Sequence, residues 1–366
     1  MDGFIESSTR NLSMASTLLP TIPRPIRCLY WPFFAGGGSA GHVYFVMTVP
    51  LMLSLTFLGL VGNTLSFIVL GREMKSSSTS VLLRALAMAD NFVLVTYALE
   101  YSFPMIFHYT GKFVDYYEIF QYSQQYLWAI TWFSKTIAVY VVVFITAERF
   151  FAVTRPLRAT TICTKKNAMY AICGVSLFSL IFNIPNFFYV DTFYYFDRCS
   201  QSLKPYARVS TFTREHPLFE WVYAVGLTYT FLFIIPVGVM TVMNYFLIKS
   251  VKVAARGNIG NQDGRQREAV AITLRVVAVV TVFIFLELPP FVTNVTYVVA
   301  AWSGKSQEWG IDMHVLSVVV NSSYVLSTVN SFINFYIYIM TGSGFRRMVF
   351  RIITCSGLTN KTHERI

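Results

Sequence analysis

An all-α membrane protein, a bundle of seven transmembrane helices followed by a short amphipathic helix, is the fold class this sequence predicts. Three observations predict it. Of 366 residues, 55% are hydrophobic and only 13% charged, with a mean hydropathy of +0.53, whereas a soluble chain carries roughly 25% charged residues. Apolar runs long enough to cross a hydrocarbon core, about 20 residues at 1.5 Å each, recur seven times between polar segments. Basic residues gather in the short segments that link these runs. The net charge of +11 therefore reads as membrane topology, and nucleic acid is not an expected partner.

The candidate spans are His42–Leu70, Val81–Phe107, Phe120–Val153, Asn167–Val190, Phe219–Ser250, Ala269–Ala301 and Ile311–Met340. The third exceeds one perpendicular crossing, so it is tilted or runs on into the cytoplasm. No internal repeat is present, and Met1–Ala35 holds no apolar signal-peptide core, so the first span is expected to act as its own insertion signal. Arg72, Lys75, Arg155, Arg158, Lys165, Lys166, Arg346 and Arg347 belong to the richer set of basic segments, which outweighs the other about two to one. The positive-inside rule then puts the amino terminus outside and the carboxyl terminus inside. Residues 1–41 form an outer tail, 42–341 the bundle, and 342–366 an inner amphipathic helix and tail. The plasma membrane is the expected location. Of the sequons, Asn11-Leu12-Ser13 is the one expected to be glycosylated; those at Asn294 and Asn321 fall at or within spans, and that at Asn360 is inside.

Few polar groups interrupt the spans: Asn63, Asp90, Glu100, Lys135, Glu148, Arg149, Glu287, Asn330 and Asn334. Such groups are costly in hydrocarbon and tend to be functional or paired; interhelical hydrogen bonding is the plainer reading. Their order is informative. Gly59-Leu-Val-Gly62-Asn63, Leu86-Ala-Met-Ala-Asp90 and Glu148-Arg149-Phe150 with Pro156-Leu157 fall on or just after the first three spans. Pro236, Pro289 and Asn330-Ser331-x-x-Asn334-Phe335-x-x-Tyr338 follow on the fifth, sixth and seventh. Together they resemble the signature of rhodopsin-like G-protein-coupled receptors, over roughly His42 to Ile353. Within that family, Arg155-Pro-Leu-Arg-Ala159 and Asn63–Leu70 are similar to invertebrate neuropeptide receptors of the FMRFamide-receptor-like branch. Phe335 in place of a proline, a missing fourth-span tryptophan, and Asn244 in place of a tyrosine (Tyr245 is one residue off) mark a divergent member. Altered or lost coupling is the alternative.

The resemblance implies a receptor, not an enzyme, that binds an extracellular peptide and activates a heterotrimeric G protein. It assigns coupling and activation to Glu148, Arg149, Phe150, Pro156, Leu157, Asn334 and Tyr338. Arg149 is a permanently charged, five-donor group held by adjacent Glu148; released, it can bond backbone carbonyls of an inserted helix. A positive-inside anchor is the alternative. Ala269 stands where many members carry an acid that restrains this arginine, with Glu268 next door. Asn63, Asp90, Asn330, Ser331 and Asn334 would form an intramembrane polar cluster, which in the family binds sodium. Ala138 stands where many members supply a serine, so a sodium ion near Asp90 and a hydrogen-bonded cluster without ion both remain open. No other cofactor is expected.

Lys135 lies roughly 21 Å up the helix axis from Arg149, and Glu287 lies just before Pro289. By the resemblance they face each other beneath the ligand pocket, where the sixth span usually carries a tryptophan. One unpaired charge there costs at least several kcal/mol, so a buried Lys135–Glu287 pair acting as the switch is the expectation, with a purely structural bridge as the alternative. Glu100, nearly three turns outward of Asp90, is set near the extracellular mouth, where it either accepts a cationic ligand group such as a peptide arginine or simply faces water. Tyr97, Tyr101, Tyr126, Trp128 and Trp132 are the pocket aromatics, or else part of an interfacial belt.

The family ties its third span to the second outer loop by a disulfide, but Gln124 occupies the third-span position. Cys28 and Cys199 would both face an oxidising space, and they are either bonded or free thiols. Phe345-Arg-Arg-Met-Val-Phe-Arg-Ile-Ile353 separates basic from apolar residues and reads as an interfacial helix on anionic membrane lipid; Cys355 beyond it is a palmitoylation candidate or a plain thiol. An ion or proton transporter using Asp90, Lys135 and Glu287 lacks the expected repeats and paired broken helices. A retinal light sensor lacks a lysine in Ile311–Met340. No nucleophile–base or metal-ligand constellation is seen.

Overall fold

The computed structural model describes residues 39–72, 77–197, 201–257, 264–303 and 307–354. Among them are seven helices long and apolar enough to cross a membrane: α1 Gly41–Gly71, α2 Ser78–Thr110, α3 Val114–Thr154, α4 Lys165–Phe188, α5 Trp221–Val253, α6 Ile272–Ala301 and α7 Val315–Thr341. The protein is a multi-pass membrane protein built as a seven-helix bundle. α3, at 41 residues, is overlong for one perpendicular crossing.

A hairpin of two antiparallel strands, β1 Val190–Asp197 and β2 Ser202–Val209, follows α4 in the register Val190↔Val209 to Asp197↔Ser202. It marks one end of the bundle, the hairpin face; Arg149 lies toward the other, the arginine face. After α7 the chain turns at Gly342 into α8, Ser343–Ile353. Only glycine fits that corner, since a Cβ there would stand 2.7 Å from the Tyr338 carbonyl oxygen. Phe345 and Val349 of α8 pack on Val69 and Leu70, while Arg346, Arg347 and Arg351 are exposed, the division expected of an interfacial helix.

Four π-helical segments occur among the described residues: Met47–Leu51 around Pro50 in α1, Ala98–Ser102 in α2, and Glu220–Leu227 and Thr230–Ile234 at the start of α5. Such turns leave backbone groups without their usual partners. The turns of α1 and α2 are tied together, as Ser102 Oγ donates to the Thr48 carbonyl at 2.6 Å. On the arginine half, Leu82 and Leu86 of α2, Val139 and Val142 of α3, Met240 of α5 and Val280 and Phe283 of α6 form the main apolar core. On the hairpin half, Met52, Val93, Tyr97 and Tyr324 join α1, α2 and α7. Between the two cores runs the string of polar side chains.

Candidate functional site

At the centre of that string Lys135 of α3 and Glu287 of α6 form an ion pair, Nζ to Oε2 2.9 Å. The ammonium also donates to the Tyr97 hydroxyl and to Ser327 Oγ, each at 3.3 Å, which uses its three donors. Asn330 Nδ2 donates to Glu287 Oε1 at 3.3 Å. The sequence placed Asn330 with Asp90; the two line the same cleft, and the Asn330 amide also completes the shell of the buried Glu287 carboxylate. Ion pair and polar cluster are in fact continuous, because Asp90, Lys135, Glu287, Asn330 and Ser331 line one narrow cleft. Asn334 Nδ2 donates to Asp90 Oδ2 at 2.9 Å. Asn63 Nδ2 donates to the backbone carbonyl of Ser331 at 3.0 Å, so it joins the cluster through the main chain of α7.

Toward the hairpin face, the π turn of α2 carries Glu100. The sequence set this carboxylate near the mouth. Within the cleft it is buried and does not face water: Glu100 is 9% exposed, and Thr131 Oγ1 donates to its Oε1 at 2.7 Å. Tyr97, Tyr101, Trp128, Trp132 and Tyr324 line the cleft around it, with Lys135. Tyr101 stacks on Tyr324 at 4.7 Å, and Trp128 meets Trp132 edge-on at 5.9 Å. Tyr126 is no part of this cleft; it is 53% exposed. Thr131 and Tyr324 were missed by sequence reading, since a lone threonine or tyrosine on an apolar span carries no distinguishing pattern.

At the arginine face, Arg149 Nη2 and Glu148 Oε1 are 3.8 Å apart, beyond hydrogen-bond length. Thr79 of α2 bridges them: its hydroxyl donates to Glu148 and accepts from Arg149. Ser78 Oγ donates to the other oxygen, Glu148 Oε2, at 3.0 Å. Adjacent helical residues point about 100° apart, so the Glu148–Arg149 ion pair is long, and the α2 hydroxyl reinforces it. Arg149 opens on a cavity of about 560 Å³ that Arg275, Tyr338 and Arg347 also line, with no acid among the described lining residues. Phe150 does not line it and packs toward Phe246, ring centres 6.1 Å apart. Pro156 and Leu157 start a short helix, Pro156–Ile162, outside the cavity, with Leu157 89% exposed. Cys163 lies behind, Sγ 3.8 Å from the Glu148 carbonyl; burial first, and then the Glu148 charge, push its thiol pKa up.

The geometry thus comprises an aromatic cleft, a buried ion pair and a basic cavity. The sequence model described as "7 transmembrane receptor (rhodopsin family)" matches residues 62–338. This chain belongs to the rhodopsin family of seven-transmembrane receptors. The FMRFamide receptor of Drosophila melanogaster is 30% identical over 296 residues, 80% of this chain and 51% of that relative. FMRFamide peptide receptor frpr-18 of Caenorhabditis elegans is 32% identical over 138 residues, 37% of this chain and 32% of that protein. Somatostatin receptor type 5 of Rattus norvegicus is 25% identical over 321 residues, 87% of this chain and 81% of the relative. The chain therefore spans about half the length of the fly receptor and a third of the nematode one in these matches.

In this receptor the hairpin is joined to α3 without a covalent bond there. Gln121 Oε1 accepts from the Ala207 backbone N–H at 2.7 Å, Thr192 Oγ1 donates to the Gln121 carbonyl at 3.2 Å, and Lys204 pairs with Glu118. The sequence reading did not foresee these contacts. Asn244 of the receptor, standing for a tyrosine, donates to the Val277 carbonyl at 3.4 Å and to Thr281 Oγ1 at 3.3 Å, whereas Tyr245 is 62% exposed. Asn11, Cys28, Cys199 and Cys355 lie outside the described residues, as do the side chains of Glu268 and Ala269.

Proposed function

We propose that this receptor sits in the plasma membrane with its hairpin face outside, binds an extracellular peptide in the aromatic cleft, and activates a heterotrimeric G protein at the arginine face. It performs no reaction of its own. The observation that carries the reading is the position of Lys135–Glu287. The pair touches the ligand cleft through Tyr97 and Lys135 and the inner network through Asn330. A ligand that shifts Lys135 changes the partners of Glu287 and so acts on α6. The differing geometries give such a ligand a difference in affinity between two states, which any such shift requires. At the arginine face the cavity beside Arg149, basic among its described lining residues, suits the carbonyl-rich end of a partner helix.

The residues near Asp90 do not fit the sodium ion that the family resemblance allows. The cleft already holds the Lys135 ammonium, Ala138 lines it without an oxygen, and Asn334 turns its amide N–H, a donor, toward Asp90. No step of the reading passes through an ion there.

The test is a screen of amidated peptides, FMRFamide and somatostatin included, on cells with verified surface expression of the chain, read as cAMP, calcium and G-protein dissociation. A response to a peptide that is lost in Arg149→Ala supports the reading. Silence to every peptide, with normal surface expression, counts against it.

A further inference from the structure

The geometry points to Glu100 as the anchor for a cationic side chain of the ligand, an arginine guanidinium; this rests on the reading of the aromatic cleft as the peptide site. Three observations meet here. The carboxylate is 9% exposed, on a helix that crosses hydrocarbon, where an isolated charge is costly unless a partner arrives. One oxygen is fixed by Thr131, while Oε2 is buried with no hydrogen-bond partner. Among the described residues Glu100 makes no ion pair, and the ammonium that lines the same cleft, Lys135, is already taken by Glu287.

The surroundings specify the missing partner. Tyr97, Tyr101, Tyr324, Trp128 and Trp132 line the cleft, and aromatic faces attract cations by their quadrupoles. Flat ring walls suit a planar guanidinium, which stacks on rings and offers paired N–H donors to a carboxylate, better than they suit a compact, strongly hydrated ammonium. Thr131 holds Oε1 by one bond and leaves the other lone pair free, so both oxygens can accept in parallel once the cleft, with only about 10 Å³ of free space, widens around the ligand. The two charged groups of the cleft then divide the work. Glu100 takes the incoming cation, and Lys135, one layer deeper, feels its arrival by repulsion.

The proposal is tested on purified full-length receptor in detergent by thermal shift, with arginyl-phenylalanine amide, its neutral citrullyl counterpart and the lysyl analogue as probes. The arginyl probe is expected to raise the melting temperature at concentrations at which the citrullyl probe does not, with the lysyl probe weaker. The charge preference vanishes in Glu100→Gln and persists in Glu100→Asp. Loss of a buried, hydrogen-bonded charge partner weakens such contacts by roughly 30-fold or more. Equal shifts by arginyl and citrullyl probes on the wild-type receptor, which need no variant to fold, overturn the proposal; so does an arginyl preference unchanged in a folded Glu100→Gln. A lysyl probe equal to or stronger than the arginyl one overturns the guanidinium assignment. In a separate arm, FMRFamide and its citrulline analogue are compared in cells. Charge-selective binding in detergent with no cellular response to any peptide would keep the anchor and remove the peptide-receptor reading.

Discussion

The ring of Phe335 on α7 lies against Gly62 of α1, so close that a Cβ at position 62 would stand 2.7 Å from Cδ1 of the ring. Phe335 occupies the place of the proline in the family motif, and the helix Met313–Thr341 runs through it unbroken. The ring fills the groove between α1 and α7 together with Val69 and Phe345. Gly62 and Phe335 are therefore fitted to each other.

Gly62→Ala is expected to destabilise the receptor by about 1–3 kcal/mol through overpacking. Phe335→Ala opens a cavity, and the double variant should lose less than the sum of the two single losses. Thermal unfolding in detergent reads this; strict additivity would show that the two residues do not share the space.

Removal of one partner of the buried pair, as in Lys135→Met or Glu287→Leu, should cost about 3–5 kcal/mol because the other charge is left alone. Replacing both by apolar residues should restore much of that stability while abolishing agonist response. Surface expression and signalling are measured together. A doubly apolar receptor that still signals normally rules out the switch role.

Thr79→Ala removes the hydroxyl that lies between Glu148 and Arg149. Basal nucleotide exchange on the G protein should rise, because Arg149 then keeps only the 3.8 Å approach to Glu148. Unchanged basal exchange at equal receptor density would contradict a restraining role for Thr79.

Gln121→Ala should loosen the hairpin without unfolding the bundle. One hydrogen bond of this kind contributes about 0.5–1.5 kcal/mol, and the exposed part of the Lys204–Glu118 pair is screened by salt. Hydrogen exchange in Val190–Asp197 and Ser202–Val209 is expected to speed up in the variant, and in wild type at high salt. Protection that ignores both changes would mean that the hairpin is fixed by other contacts.

Replacing sodium by N-methylglucamine at constant ionic strength should leave agonist affinity unchanged, since the cleft beside Asp90 holds the ammonium of Lys135. A several-fold change with sodium, absent in Asp90→Asn, would establish an ion that the donor set argues against.

The bundle was legible because a hydrocarbon core imposes a length and a composition on every crossing, and both are written in linear sequence. The height of Lys135 and the kink residue beside Glu287 were legible for a similar reason: a helical rise converts residue numbers into depth. Azimuth was not. The π turn at Ala98–Ser102 has no residue signature, so whether Glu100 faced the cleft or water stayed open. The Asn330 amide reaches Glu287 while lining the Asp90 cleft, a choice between two carboxylates that residue spacing does not encode. Thr79 and Gln121 were overlooked since their importance comes entirely from what α3 and the hairpin bring opposite them.

Pro289 and Pro290 lack the N–H groups that would close onto the carbonyls of Phe285 and Leu286. The joint this makes in α6 flanks Glu287. From there to the start of the described helix at Gly264 runs a stiff arm about 36 Å long, so a ten-degree bend would carry its tip about 6 Å. A rearrangement of an ångström or two at Lys135 would be multiplied several-fold at the far end of such an arm.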